Sequence, residues 1–104
     1  DRALAWSLLL SGKSEQAYSK YEKLLSIPNP LDDDYLNAGY CQWILGKIEN
    51  ALSLFRKYKD LIAKKKNVLI DKDDINYHFT SDIDVLHAHG ISDIDVMLME
   101  DMLV

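Results

Sequence analysis

The sequence predicts an all-α protein built as a stack of antiparallel helical hairpins, and three observations support this fold class. The chain matches itself when it is shifted by 34 residues, most clearly where residues 12–21 align with residues 46–55. Apolar residues recur at steps of three and four, which is the spacing of an amphipathic helix. A glycine follows the first apolar run of each unit, and glycine commonly ends a helix because it accepts a positive φ.

The composition is that of a globular protein. Of the 104 residues, 48% are hydrophobic and 28% are charged, which excludes wholesale disorder. No apolar run approaches the ~20 residues that a membrane-spanning helix needs. Cys41 is the only cysteine, which excludes an internal disulfide framework. We favour a cytoplasmic location and allow for a removed leader, since the chain begins at Asp1 rather than Met.

Residues 1–30 form the first predicted unit. Its first helix ends at Gly12, and its second helix ends before Pro28 and Pro30, because proline disfavours helical geometry at the residue that precedes it. Each helix has one apolar face to bury against a neighbour. The positions that define these faces are Leu4, Leu8 and Leu9, followed by Ala17, Tyr21, Leu24 and Leu25.

Residues 31–64 form the second predicted unit. Asp33 or Asp34 is the expected N-cap, because an aspartate side chain accepts hydrogen bonds from free N–H groups at a helix start. Gly46 separates the two helices, and residues 64–66 are lysines in the last turn, where cations interact favourably with the helix dipole. The apolar positions are Tyr35, Leu36, Tyr40, Trp43 and Ile44, followed by Ala51, Leu54, Phe55, Tyr58 and Ile62.

This pattern resembles the tetratricopeptide repeat family. The unit of that family is a 34-residue helix–turn–helix with a small residue in its first helix, a turn glycine, and then an alanine and an aromatic residue in its second helix. The resemblance covers residues 1 to about 63 and implies a right-handed superhelix that binds proteins without catalysis. The matching residues are Ala5, Gly12, Ala17 and Tyr21 in the first unit and Gly39, Gly46, Ala51 and Phe55 in the second.

Residues 67–104 form a second region that departs from the 34-residue period. We predict that residues 67–74 are a connector or a final turn of the preceding helix, followed by a helix over 81–89 and another from about 93 to 103. Each of these helix starts carries a Ser-x-x-Asp pattern, which is close to a capping box. Gly90 lies between the two helices, so this region is expected to be a degenerate third hairpin or a cap. Such an element is needed because each hairpin leaves an apolar face for a neighbour.

The two regions differ in charge. Residues 1–66 carry a net charge of +3 and residues 67–104 a net charge of −8, which together make −5 at pH 7. The acidic region is rich in aliphatic residues, so we interpret it as folded rather than as a polyanionic tail. Residues 64–66 are basic, but the chain as a whole is acidic and has no recognition motif for nucleic acid. We therefore expect no nucleic-acid partner.

The sequence predicts neither catalysis nor a metal site. His87 and His89 do not readily share a metal ion on a helix, since side chains two residues apart point in different directions. Cys41 lacks a sequence pattern that supplies a base, and a free cysteine usually acts as a small buried hydrophobe. We expect no cofactor, and a role as a metal- or substrate-binding accessory of an enzyme is the weakest hypothesis. The acids near the histidines, which helix caps explain, are Asp82, Asp84, Asp93 and Asp95.

The predicted partner surface is the concave groove that the first helices line in proteins of this family. Tryptophan and tyrosine are common anchors at interfaces, which centres the groove on Tyr40 and Trp43. The branch of the family that binds chaperone tails clamps a carboxylate with basic and asparagine residues. Here Trp6 replaces one such asparagine, so the resemblance implies an apolar peptide or partner helix. The candidate residues are Arg2, Trp6, Leu9, Leu36, Asn37, Tyr40 and Trp43.

Structural self-assembly is the alternative function. The last predicted helix contains Met97, Met99 and Met102 among other aliphatic residues, so it is apolar on more than one face. Packing on the preceding hairpin uses one of these faces. The remaining methionines are then available for a homodimer, because flexible methionine side chains adapt to partner surfaces. The sequence leaves both functions open.

Overall fold

The computed structural model describes residues 2–66, 72–92 and 94–103, and the described residues form six α-helices. No strand occurs among these residues, which confirms the predicted all-α class. The predicted pair of helices in each of the first two units is also present. The helices are α1 (Arg2–Leu10), α2 (Ser14–Leu25), α3 (Asp32–Ile44), α4 (Ile48–Lys66), α5 (Lys72–Ala88) and α6 (Val96–Leu103).

The helices pack mainly against their neighbours in the chain. Contacts join α1 to α2, α2 to α3, α3 to α4 and α5 to α6, with further contacts between α1 and α3 and between α4 and α6. One cluster of buried side chains runs through all of them. Its largest hydrophobic members with almost no exposure are Leu9, Tyr21, Tyr40, Phe55, Ile83, Leu86, Ile94 and Met99.

The helices α1, α3 and α5 end in the same backbone arrangement. Gly12, Gly46 and Gly90 each have φ between 81° and 84°, and each donates its N–H to a carbonyl three residues earlier at 3.0 Å. The residue after each glycine donates to the carbonyl five residues before itself, which completes a Schellman motif. These second bonds are Lys13 to Leu8 (2.9 Å), Lys47 to Gln42 (2.9 Å) and Ile91 to Leu86 (3.0 Å). The three turn glycines predicted from the sequence are therefore confirmed.

Gly39 allows α3 and α4 to approach closely. A Cβ atom at this position would overlap the ring of Phe55 on α4. The Phe55 ring also contacts Tyr40, with ring centroids 5.8 Å apart, and Trp43, at 6.2 Å. A glycine on α3 and an aromatic residue on α4 are thus direct packing partners.

The start of α3 differs from the prediction in one detail. The helix begins at Asp32, and Leu31 occupies the N-cap position, where its side chain makes no capping hydrogen bond. Asp34 instead reaches back, and its Oδ2 accepts the Leu31 N–H at 2.9 Å. The cap is therefore supplied by the third residue of the helix, which is half of a capping box.

The starts of the last two helices also differ from the prediction. The helix α5 begins at Lys72, so the Ser-x-x-Asp pattern at residues 81–84 lies inside it and does not cap it. Of the predicted connector, residues 72–74 belong to α5 and residues 67–71 lie outside the described residues. At the second pattern Asp95, not Ser92, caps α6, because its Oδ1 accepts the N–H groups of Met97 at 2.8 Å and Leu98 at 3.2 Å.

Candidate functional site

A cleft of ≈ 230 Å³ opens between four helices. Three of the predicted partner-binding residues line it, namely Trp6, Leu36 and Asn37. The helices α1, α3 and α5, which share the same glycine-terminated end, all contribute to its wall, and α4 closes it from behind. The complete lining is Trp6 from α1, Asp33, Leu36 and Asn37 from α3, Tyr58 from α4, and Ser81 and Asp82 from α5.

The structure corrects the predicted centre of the groove. Tyr40 has no exposed surface and Trp43 is 5% exposed, so neither side chain is accessible to a ligand. Their rings pack on Phe55, and the Tyr40 ring also lies 6.1 Å from the ring of Phe79. Phe79 belongs to α5, so Tyr40 is covered from both α4 and α5, while Trp43 is covered by Phe55 of α4. Leu9 on α1 is likewise fully buried.

Arg2 is already engaged by a partner within the chain. Its Nε and Nη2 donate to Oδ1 and Oδ2 of Asp34, each at 2.8 Å, in a bidentate ion pair. The Asp34 side chain is 1% exposed, whereas that of Arg2 is 42% exposed. Arg2 therefore joins α1 to the first turn of α3. It is not a free cation with which to clamp the carboxylate of a peptide.

Trp6 is the accessible aromatic side chain of the cleft wall from α1. It is half-buried, and its ring lies 6.5 Å from that of Tyr40 with the planes tilted by 55°. Tyr40 thus supports the indole from behind while one part of it remains open to the cleft. Asn37 is also half-buried, so its amide remains within reach of a ligand.

Asp82 connects the cleft to the aromatic core. Its Oδ2 accepts the Tyr40 O–H at 2.8 Å. Burial raises the pKa of Asp82 above its ordinary value; the Tyr40 hydrogen bond opposes this rise and repulsion from Asp33 adds to it. Burial also raises the pKa of Tyr40, and the charge of Asp82 raises it further. Both carboxylates of the cleft, from Asp33 and Asp82, therefore contribute to a negative local potential.

The pKa of Tyr58 on α4 is affected by the same negative potential. Burial raises its pKa well above the ordinary value, and the charges of Asp33, Asp82 and Asp32 raise it further. Burial is the main cause, and the additional effect of three nearby carboxylates indicates a region where negative charge accumulates. The cleft is accordingly more polar and more acidic than the apolar groove predicted from the resemblance.

Sequence reasoning missed four lining residues, namely Asp33, Tyr58, Ser81 and Asp82. The sequence pattern predicts Asp33 as a helix cap, Tyr58 as a core position, Ser81 as part of a cap, and Asp82 as one of the acids near the histidines that helix caps explain. The hydrophobic spacing of α4 correctly placed Tyr58 on a buried face, where it is 6% exposed. No local sequence pattern identifies Asp82 as a lining residue, because it lines the cleft only after α5 has packed against α3.

The cysteine and the two histidines considered for catalysis or metal binding are either buried or bonded to separate backbone oxygens. Cys41 is fully buried, and burial raises the pKa of its thiol to about 12. His87 Nε2 lies 3.0 Å from the Ile94 carbonyl and His89 Nδ1 lies 3.0 Å from the Val85 carbonyl, so each ring donates to a different backbone oxygen. Among the residues that the structure describes, no three His, Cys, Asp or Glu side chains are placed to hold one metal ion.

The methionines of the last helix divide between core and surface. Met99 is fully buried, whereas Met97 is 74% and Met102 is 39% exposed. Leu98, beside them on α6, is half exposed. Of the three residues proposed for self-association, two are therefore accessible and one stabilises the fold.

Comparisons with known proteins give no family assignment: no protein-family description, curated protein or solved structure matches this chain. None of the helices in the described part of the chain is long and apolar enough to cross a membrane.

Proposed function

We propose that this chain is a non-catalytic protein-interaction module that binds a peptide or a partner helix in the cleft between α1, α3 and α5. In this proposal the pairs α1–α2 and α3–α4 are tetratricopeptide-like hairpins. The pair α5–α6 is a degenerate third hairpin. The observation that carries the proposal is the cleft itself, which is lined by an accessible tryptophan and asparagine at first-helix positions.

The recurring helix ends support this view of the architecture. Gly12 and Gly46 are 34 residues apart, and Gly90 follows Gly46 after 44 residues, which is one unit plus a ten-residue insertion. All three close their helices with the same pair of hydrogen bonds. Equivalent ends on α1, α3 and α5 favour three equivalent first helices, and the first helices line the binding surface in repeats of this kind.

The test is selection from a random dodecapeptide display library against the immobilised chain, followed by calorimetry with a selected peptide. We expect Trp6→Ala to weaken binding by about 2 kcal/mol if the indole is an anchor. Asn37→Ala should weaken it through a lost hydrogen bond. Ile27→Ala is the matched control, because it truncates an exposed side chain, 46% accessible, outside the cleft. Equal effects of Trp6→Ala and Ile27→Ala, or no selected peptide, would contradict the proposal.

Self-assembly through α6 is the second candidate, and the exposure of Met97, Leu98 and Met102 favours it. Deleting the helix is a poor test, since it removes the core residue Met99 and would destabilise the fold. Light scattering of the Met97→Ser, Met102→Ser double variant avoids this problem. A wild-type dimer that becomes a monomer in this variant supports assembly. A Leu4→Ser variant, which changes an exposed residue of α1, is the control.

A further inference from the structure

We propose that the cleft takes a cationic side chain, arginine or lysine, from the bound peptide. This inference rests on the proposed function and names the chemistry of its ligand. It departs from the apolar ligand that the sequence predicted. It rests on the cavity between the helices, on the two carboxylates in its wall and on the accessible indole beside them.

The cavity has the size for a side chain. Its volume of ≈ 230 Å³ exceeds the roughly 30 Å³ that one water occupies in the liquid, so it admits a long side chain rather than a single bound water. Its entrance is bounded by residues of α1, α3 and α5, and Tyr58 and Leu36 form buried parts of its wall. A long side chain with a charged head suits such a space, because the accessible surface of the cleft is mostly polar and includes both carboxylates.

The carboxylates of the cleft are not neutralised by the ion pairs among the described residues. Those pairs join Arg2 to Asp34 and Lys65 to Asp32, so neither Asp33 nor Asp82 is paired with a cation among the side chains that the structure describes. Asp82 is partly buried and accepts one hydrogen bond from Tyr40. Burial and the charge of Asp33 both disfavour its ionised form. A cation between the two carboxylates would offset both effects, which an apolar ligand would not.

The indole of Trp6 supplies a second attraction for a cation. An arginine or lysine head group near the face of a tryptophan is attracted by the negative potential of the ring, and tryptophan is the strongest aromatic partner for this contact. Tyr40 holds the indole at the edge of the cleft through their tilted ring contact. Trp6 and the carboxylates thus converge on one space from α1, α3 and α5.

The experiment uses four heptapeptides of glycine and serine that differ only in the central residue: arginine, lysine, norleucine or glutamate. Binding is followed by the indole N–H resonances of the ¹⁵N-labelled chain. Trp6 lines the cleft and Trp43 is 5% exposed, so the second tryptophan is an internal reference. We expect the arginine and lysine peptides to shift the Trp6 signal, with dissociation constants at least about fivefold lower than that of the norleucine peptide. The glutamate peptide should not bind.

The variant that tests the mechanism is Asp33→Asn with Asp82→Asn. Asparagine keeps an oxygen that accepts the Tyr40 O–H, so the fold should survive, which circular dichroism checks. The preference for cationic peptides over norleucine should disappear in this variant. The matched control is Asp84→Asn, which removes an exposed carboxylate from the same helix and should keep the preference.

Two results would overturn the inference. One is equal binding of the norleucine and arginine peptides, and the other is an unchanged preference in the double asparagine variant. Either result leaves the proposed function intact if the display library yields peptides whose binding depends on Trp6. A library that yields no peptide is the separate failure of the proposed function.

Discussion

Arg2 and Asp34 form a bidentate ion pair that joins α1 to the beginning of α3. Both hydrogen bonds measure 2.8 Å, and the same carboxylate accepts the Leu31 N–H at 2.9 Å. One buried side chain therefore caps a helix and links it to another helix 32 residues earlier in the chain. A charge-assisted bidentate pair is stronger and more directional than a single neutral hydrogen bond.

We predict that Asp34→Ala lowers the free energy of unfolding by about 1 kcal/mol or more, because it removes the cap of α3 and leaves Arg2 without its partner. Asp33→Ala changes the adjacent, exposed aspartate and serves as the control. Urea unfolding measures both. Equal losses in the two variants would show that the ion pair and the cap contribute nothing specific.

The turn at Gly46 is expected to require glycine for its backbone geometry alone. Its φ is +81°, and a Cβ atom there would meet nothing within 4 Å, so crowding plays no part. Gly46→Val should therefore lower stability by about 1–3 kcal/mol through backbone strain. Lys47→Val places the same side chain at the next exposed position and should lower stability by less than Gly46→Val does. Thermal melting compares the two, and equal melting temperatures would argue against strain.

Gly39 is expected not to tolerate a larger side chain, and here the reason is crowding rather than backbone strain. An added methyl group would overlap the Phe55 ring inside the α3–α4 contact, and overpacking of a core typically costs about 1–3 kcal/mol. Gly39→Ala should thus destabilise the chain although alanine is the better helix former. The double variant Gly39→Ala, Phe55→Leu relieves the overlap. If Gly39→Ala leaves the urea midpoint unchanged, α3 and α4 are not packed as closely as described.

Asp82 should make stability depend on pH in a defined direction. Its pKa in the folded chain is raised above 3.8, so the folded state holds this proton more tightly than the unfolded chain does. The stabilisation is present at low pH and is lost as the pH rises above 3.8 through the raised pKa. Asp82→Asn resembles the protonated form, so near pH 7 this variant should be at least as stable as the wild type.

The advantage of Asp82→Asn should shrink toward about pH 3, where the wild-type carboxyl group is protonated as well. Urea unfolding of the variant and the wild type at pH 7 and at about pH 3 measures this difference in stability. Asp84→Asn, which removes an exposed carboxylate, provides the baseline for the change in net charge. A loss of stability at pH 7 that is specific to Asp82→Asn would mean that the charged Tyr40–Asp82 hydrogen bond outweighs the cost of burial.

Cys41 is predicted to be unreactive in the folded protein. Burial raises its pKa from 9.0 to about 12, which reduces the thiolate fraction at pH 7 by roughly a thousandfold. Its side chain also has no exposed surface. Reaction with a disulfide reagent should therefore follow unfolding, and urea should accelerate it to the rate of a free thiol. Rapid modification of the native chain, with circular dichroism unchanged, would place Cys41 at an accessible position.

Some elements of this protein follow from local sequence. Gly12, Gly46 and Gly90 were recognised as helix ends because a positive φ and a Schellman motif depend on a few consecutive residues. The four helices of residues 2–66 follow from hydrophobic spacing for the same reason. By contrast, the pattern that begins at Ser81 resembles a cap but lies inside α5, and at the second pattern Asp95, not Ser92, caps the helix. A short polar motif does not decide where a helix starts when the residues before it are also helical.

The sequence by itself thus determined the helical class and the glycine turns, both of which depend on interactions between residues close in the chain. Only the tertiary structure decided which aromatic residues are core and which are accessible. Tyr40 and Trp43 are buried because Phe55 and Phe79 arrive from α4 and α5, while Trp6 stays open to the cleft. Asp82 reaches Tyr40 across 42 residues of sequence. Burial is set by neighbours from distant helices, and the periodicity of a single helix carries no information about them.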